Sequence, residues 1–106
     1  MGLRVAKFGG TSLASAKEYR KVKQIILFDK RRRYVVPSAP GKLFSTDNKI
    51  TDLLYKCHEL ICSGLDYDHV FQIIRTRYQT ITADLGLDLD IARYLDEVFN
   101  QMTKEK

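Results

Sequence analysis

Apolar positions along the chain switch between two periods, and the switches mark its elements. Leu3–Phe8 (LRVAKF) is short, largely apolar and β-compatible, and predicts a buried strand. Gly9-Gly10 ends it, because paired glycines allow backbone angles that other residues resist. Ser15-Ala16-Lys17-Glu18 has the spacing of a capping box, with the Ser15 hydroxyl accepting from the Glu18 backbone N–H and Glu18 reaching back. A helix is expected to run to about Phe28, with Tyr19, Val22 and Ile26 on one face. Asp29–Arg33 reads as a polar, basic turn, and Tyr34-Val35-Val36 as a second short strand. Pro37 has no N–H donor, so that strand stops there or lies at an edge.

Residues 38–49 (SAPGKLFSTDNK) are rich in Ser, Pro, Gly, Asp and Asn and predict a loop. From Ile50 a helical period returns, with Ile50, Leu53, Leu54, Cys57 and Ile61 sharing a face and Gly64 placed as the residue just past the helix end. A second helical run carries Val70, Phe71, Ile74, Tyr78, Ile81 and Leu85, and Gly86 closes it. Asp88 is expected to cap a last helix bearing Ala92, Leu95, Phe99 and Met102, whose Lys104 and Lys106 suit the negative end of the helix dipole. There is no internal repeat, low-complexity tract or linker. Residues 1–64 form the motif-bearing part and 65–106 a helical part.

Strand, helix, strand makes one βαβ unit, with parallel strands and a right-handed connection. Parallel sheets normally hold more than two strands and carry helices on both faces. The expectation is therefore an α/β chain that opens a larger sheet.

Composition refines this little. The 106 residues are 44% hydrophobic and 29% charged, ordinary for a folded domain and against wholesale disorder. Two cysteines are too few for a disulfide scaffold, no signal-peptide pattern is present, and no apolar run approaches the ~20 residues that span a bilayer. A cytoplasmic protein with reduced thiols and no membrane partner is expected. Charge is more telling. Residues 1–60 hold 13 of the 18 Lys and Arg and 5 of the 13 Asp and Glu, a net +8, while the remainder carries −3. A basic first half suits anionic partners such as nucleotides, nucleic acid or acidic metabolites.

The candidate chemistry lies in Lys7-Phe8-Gly9-Gly10-Thr11-Ser12, at a strand-to-helix junction. Ligands of open α/β sheets bind beyond the carboxyl ends of strands. Glycines there let a phosphate approach the backbone, a following helix offers N–H groups, and Lys7 can bring a mobile positive charge. Thr11 and Ser12 add hydroxyl donors. The pattern is neither G-x-x-x-x-G-K-[ST] nor G-x-G-x-x-G. A tight turn without a ligand is the competing reading of Gly-Gly after a strand.

Residues VAKFGGTSLAS closely resemble the N-terminal motif of aspartate kinases, in the wider amino acid kinase family. A second match is Val35-Val36-Pro37-Ser38-Ala39-Pro40-Gly41, followed after the loop by Lys49-Ile50-Thr51-Asp52-Leu53-Leu54. The two ordered motifs cover roughly the first 55 residues. The resemblance implies the start of an amino-acid-kinase (carbamate-kinase-like) three-layer α/β/α sandwich. It implies phosphoryl transfer from ATP, with Mg²⁺ brought by the nucleotide, to the side-chain carboxylate of L-aspartate, giving 4-phospho-L-aspartate on the way to lysine, threonine and methionine. Lys7 would stabilise charge on the transferring phosphoryl. Phe8, Gly9, Gly10, Thr11 and Ser12 would form the ATP-phosphate turn, with Ser12 also near aspartate. Ser38 and Ala39 would line the pocket, and Thr51 would hydrogen-bond aspartate. No dedicated metal site is implied. A Gly-Glu pair that binds the substrate amino group in the family is absent from this sequence, as are a nucleotide-binding second half and regulatory domains. The chain is therefore expected to be the first part of a larger kinase domain, inactive or nearly so alone. Full-length family members are homo-oligomers.

Plainer readings stand beside these. Lys7 also reads as a strand-end lysine, Thr51 as a helix N-cap, and Ser12 and Ser38 as turn residues. Lys30-Arg31-Arg32-Arg33 reads as a solvated turn rather than a nucleic-acid patch, since it lacks interleaved aromatics or a known module. Cys57 and Cys62 are five apart on a predicted helix and diverge by over about 100°, against a shared metal ion. His58 falls on the polar side, and His69 in an exposed first turn. Tyr19, Tyr55, Tyr78 and Tyr94 read as core or half-buried packing. Two other functions remain open at this level: a sibling kinase acting on glutamate, acetylglutamate, carbamate or UMP, and a small non-catalytic basic binding domain.

Overall fold

A computed structural model describes residues 2–104; the expected dipole role of Lys106 lies outside them. The chain forms two compact units, residues 1–50 and 51–106.

The first unit is the βαβ start. Strand β1 (Arg4–Phe8) leads through a 3₁₀ turn (Gly10–Leu13) into helix α1 (Ala16–Phe28), and the chain returns as β2 (Arg32–Pro37). The strands pair in parallel, as expected, with Val5 opposite Tyr34, Lys7 opposite Val36 and Phe8 opposite Pro37; the register shifts between Arg4 and Val5. Side chains alternate across a strand. Ala6 and Phe8 therefore face α1, where Phe8, Leu13 and Val22 form a core joined by Tyr19 and Ile26. The predicted inner face of α1 is the one observed.

Burial of β1 differs from expectation. Phe8 is buried, but Val5 is 69% exposed and Val36 50%. Helix α1 covers one face of a two-stranded ribbon, and the Val5–Lys7–Tyr34–Val36 face carries the apolar side chains that suggested a buried strand. Ser15 occupies the N-cap position with extended backbone, yet its hydroxyl makes no capping bond. The Ser15 carbonyl takes the Tyr19 N–H at 3.0 Å, and Glu18 lies 3.6 Å from Lys21 instead of reaching back.

The basic run is partly strand. Arg32 and Arg33 belong to β2, and Arg31 and Arg32 are engaged internally. Arg31 grips Asp29 through its backbone N–H (2.9 Å), Nε (3.0 Å) and Nη2 (2.9 Å), while Arg32 donates to the Ile25 carbonyl. Arg4 Nε adds a contact to Asp29 at 3.7 Å. These charge-assisted bonds fasten the end of α1 to the amino ends of both strands. They hold the Asp29 carboxyl well below the usual carboxylate range, chiefly through the Arg31 side chain and backbone.

The second unit is helical, and α2 (Ile50–Cys62) begins on the last residue of the first. Helix α2, which the sequence groups with residues 1–64, thus falls almost wholly in this unit. Leu53, Cys57 and Ile61 are buried and Leu54 is half-buried. Gly64 and Gly86 have φ of +69° and +68°, the left-handed conformation glycine tolerates best. At each, the pair of bonds of a Schellman motif closes the helix: Gly64 to Ile61 and Leu65 to Leu60, then Gly86 to Ala83 and Leu87 to Thr82.

Helix α3 (Asp68–Asp84) buries Val70, Phe71, Ile74 and Ile81. Helix α4 (Ile91–Lys104) packs on it through Leu95 and Phe99, whose ring lies 4.6 Å from Phe71 and 5.0 Å from Tyr67. Arg75 sits 5.3 Å over Phe71 and pairs with Asp96. The cap of α4 is Asp90, which accepts the Arg93 N–H at 3.3 Å, and not Asp88. Tyr19 and Tyr78 are half-buried, but Tyr55 (75% exposed) and Tyr94 (52%) are surface residues, contrary to the packing roles expected for them. Each lies on its helix away from the buried stripe.

Candidate functional site

The two motifs meet at the carboxyl ends of the strands. Phe8 pairs with Pro37, and the Ser38 N–H donates to the Phe8 carbonyl at 3.0 Å. Pro37 ends β2, as its missing donor requires. The residues that follow each strand, Gly9 and Ser38, therefore lie side by side where ligands of open α/β sheets bind.

Lys7 is exposed and stands on the uncovered face, opposite the side of Phe8 that meets α1. The Phe8 ring is committed to the core, so Phe8 has only its backbone to offer a ligand. Gly9 is extended (φ −75°, ψ 172°) and exposed, and Gly10 opens the 3₁₀ turn. Neither has positive φ. Unusual backbone angles thus explain neither glycine, a correction to the sequence argument. A Cβ on Gly9 would meet nothing within 4 Å, leaving a bare backbone open to approach.

Gly10 is crowded. A Cβ there would lie 3.1 Å from the Ala39 carbonyl and from the Gly41 N and Cα. Thr11 is exposed, and Ser12 is half-buried with its N–H on the Gly9 carbonyl at 3.1 Å. Ser38 is exposed and Ala39 half-buried. The structure therefore brings Lys7, Phe8, Gly9, Gly10, Thr11, Ser12, Ser38 and Ala39 to one end of the first unit. Lys7 is the one charged residue among these eight.

Thr51 is placed differently. It lies inside the first turn of α2, not before it, so it is not the N-cap. It belongs to the second unit, where it lines an open groove of about 440 Å³ with Leu54, Tyr55, His58, Val98 and Met102.

Gly41 escaped the sequence reading as a site residue. It is buried, its N–H donates to the Gly10 carbonyl at 2.8 Å, and a Cβ on it would fall 2.6 Å from the Gly10 carbonyl carbon. The signal was present: a glycine closing Ser38-Ala39-Pro40-Gly41, facing another glycine turn.

The bare backbone at Gly9, the neighbouring Lys7 ammonium and the hydroxyls of Thr11, Ser12 and Ser38 fit a phosphate. They do not fit a metal cage, since no carboxylate is among them. Among the described residues, no group of three or more His, Cys, Asp or Glu is placed to hold a metal ion. Cys57 is buried, which pushes its thiol pKa up, while Cys62 is exposed with Sγ 3.5 Å from His58 Nε2. No helix among the described residues is long and apolar enough to cross a membrane.

Fold and strand-end turn together define a mixed α/β chain with a two-stranded parallel sheet and helices. No protein-family model matches it. It is 36% identical over 105 residues to aspartokinase 3 of Bacillus subtilis (strain 168), covering 98% of this chain and 23% of that protein. It superposes on the crystal structure of the aspartate kinase of Clostridium acetobutylicum with a TM-score of 0.93 at 45% identity, covering 98% of this chain and 24% of that one. Over nearly its whole length, then, the chain is similar to these two aspartate kinases, and it spans just under a quarter of their length.

Proposed function

We propose that this chain supplies part of the active site of an aspartate kinase, and that its strand-end turn binds the phosphates of ATP. The observation that carries the reading is the meeting of the two motifs through the Ser38–Phe8 hydrogen bond, beside an open Gly9 and an exposed Lys7. Similarity to aspartate kinases across 98% of the chain supports it.

In this reading the side-chain carboxylate of L-aspartate attacks the γ-phosphorus of ATP. A carboxyl oxygen–phosphorus bond forms, the bond to ADP breaks, and 4-phospho-L-aspartate results. A carboxylate is already ionised at neutral pH and needs no general base, so the work is positioning and charge stabilisation. Lys7 neutralises charge on the transferring phosphoryl. The backbone of Phe8, Gly9 and Gly10 meets the phosphates, and Thr11 and Ser12 add hydroxyl donors. Ser38 and Ala39 line the aspartate side. Mg²⁺ comes with ATP and lowers the charge of its phosphates.

The same reading places the βαβ unit in a three-layer α/β/α sandwich and the protein in the cytoplasm, on the route to lysine, threonine and methionine. The chain is one portion of a kinase domain, with residues 1–64 bearing the motifs.

The test is an amide NMR titration of the chain with MgATP, alongside a hydroxamate assay with ATP and aspartate. Shifts concentrated at residues 7–12 and 38–39, with negligible turnover, are expected. Shifts spread evenly over the basic surface would remove the phosphate site, and robust turnover would overturn the partial-site reading.

A further inference from the structure

We propose that Gly41 is a positioning residue for the phosphate turn: its N–H holds the Gly10 carbonyl inward, so that this oxygen does not face a bound phosphate. This rests on reading residues 7–12 as a phosphate site.

Glycine peptides turn over with little steric resistance. In a trans peptide the C=O and N–H point to opposite sides, and no cis bond occurs among the described residues. One rotation of the Gly10–Thr11 peptide would therefore replace an outward N–H by an outward carbonyl, whose negative end repels an anion. The bond from Gly41 N–H to the Gly10 carbonyl, at 2.8 Å, opposes that rotation. It forms at a buried residue, where losing a partner leaves a polar group unsatisfied.

The crossing dictates glycine on both sides. A Cβ at Gly41 would lie 2.6 Å from the Gly10 carbonyl carbon and 2.9 Å from the Gly10 oxygen and the Thr11 nitrogen. All three are backbone atoms and cannot swing aside as a side chain would. The donor is itself held. Pro40, with its fixed φ, precedes Gly41, and its carbonyl accepts the Ile50 N–H at 3.1 Å. Gly41 thus acts on the first motif through one hydrogen bond, without touching the phosphate.

The test uses inorganic tripolyphosphate as the probe, titrated into the 106-residue chain and followed by amide NMR. Wild type and the control Gly2→Ala, where a Cβ meets nothing within 4 Å, should bind equally. Gly41→Ala should keep the β1–β2 amide pattern, move the free-state Thr11 amide, and lower the affinity of the folded protein at least tenfold. A merely structural role would lower the melting temperature and leave the affinity of the folded fraction unchanged; that result overturns the proposal. Pro40→Ala loosens the donor without adding atoms at the crossing and carries the same comparison if Gly41→Ala does not fold. It should weaken binding several-fold, and unchanged affinity counts against the proposal equally. Wild type showing no shifts at residues 7–12 would overturn the phosphate reading itself, whereas binding indifferent to both variants would overturn only the role of Gly41.

Discussion

The Ser38 N–H donates to the Phe8 carbonyl at 3.0 Å, one step beyond the last paired residues of the two strands. That bond continues the parallel ladder into the loops. It sets Gly9 beside Ser38 although 28 residues of helix, turn and strand separate them in the chain. Two motifs that look independent in the sequence become one strand-end site.

Lys7 is exposed on the open face of β1, where replacement disturbs no core contact. Surface substitutions of this kind change stability by roughly 0.5 kcal/mol or less. Lys7→Ala should leave the melting temperature within a few degrees of wild type while weakening tripolyphosphate binding at least tenfold. Unaltered affinity in a calorimetric titration would remove the role given to this ammonium.

The Asp29 carboxyl titrates well below its ordinary value because Arg31 binds its charged form. A carboxylate lowered on folding contributes stability above its unfolded pKa, near about 4, and loses it as pH falls through the folded value. Asp29→Asn should therefore be less stable than wild type at pH 7, and the gap should narrow below about pH 4. Urea melts of both proteins across pH 2–7 measure this, and a constant gap would contradict it.

Gly64 ends α2 with φ +69°. An alanine there meets no steric neighbour, so its cost is the left-handed backbone alone, about 1–2 kcal/mol. Gly64→Ala should lower the melting temperature by several degrees, while Gly2→Ala, in open space, should not.

Burial separates the two thiols. Cys57 is fully buried with its pKa raised, whereas Cys62 is exposed. An aromatic disulfide reagent at pH 8 should titrate one thiol per native chain, lost in Cys62→Ser, and a second only in denaturant. Two rapidly reacting thiols in the native protein would show that the face of α2 bearing Cys57 opens.

The helical half was legible because its signals are local. Spacing placed Ile50, Leu53, Cys57 and Ile61 on one face of α2, and Val70, Phe71, Ile74 and Ile81 on one face of α3. Gly64 and Gly86 announced their helix ends. The same reasoning misplaced the last cap. Asp88 and Asp90 are equivalent in composition, and only the path of the chain aims Asp90 at the Arg93 N–H.

By itself, the sequence determined the order of elements, the parallel βαβ start and the strand-end position of Lys7, Gly9 and Gly10, since periodicity and turn residues act over a few neighbours. Tertiary structure decided that Gly9 is open and Gly10 crowded. It also decided that Arg31 and Arg32 serve the fold, and that Gly41 lies against Gly10. The last depends on a contact between segments some thirty residues apart, and no local pattern carries the 2.8 Å bond that joins them.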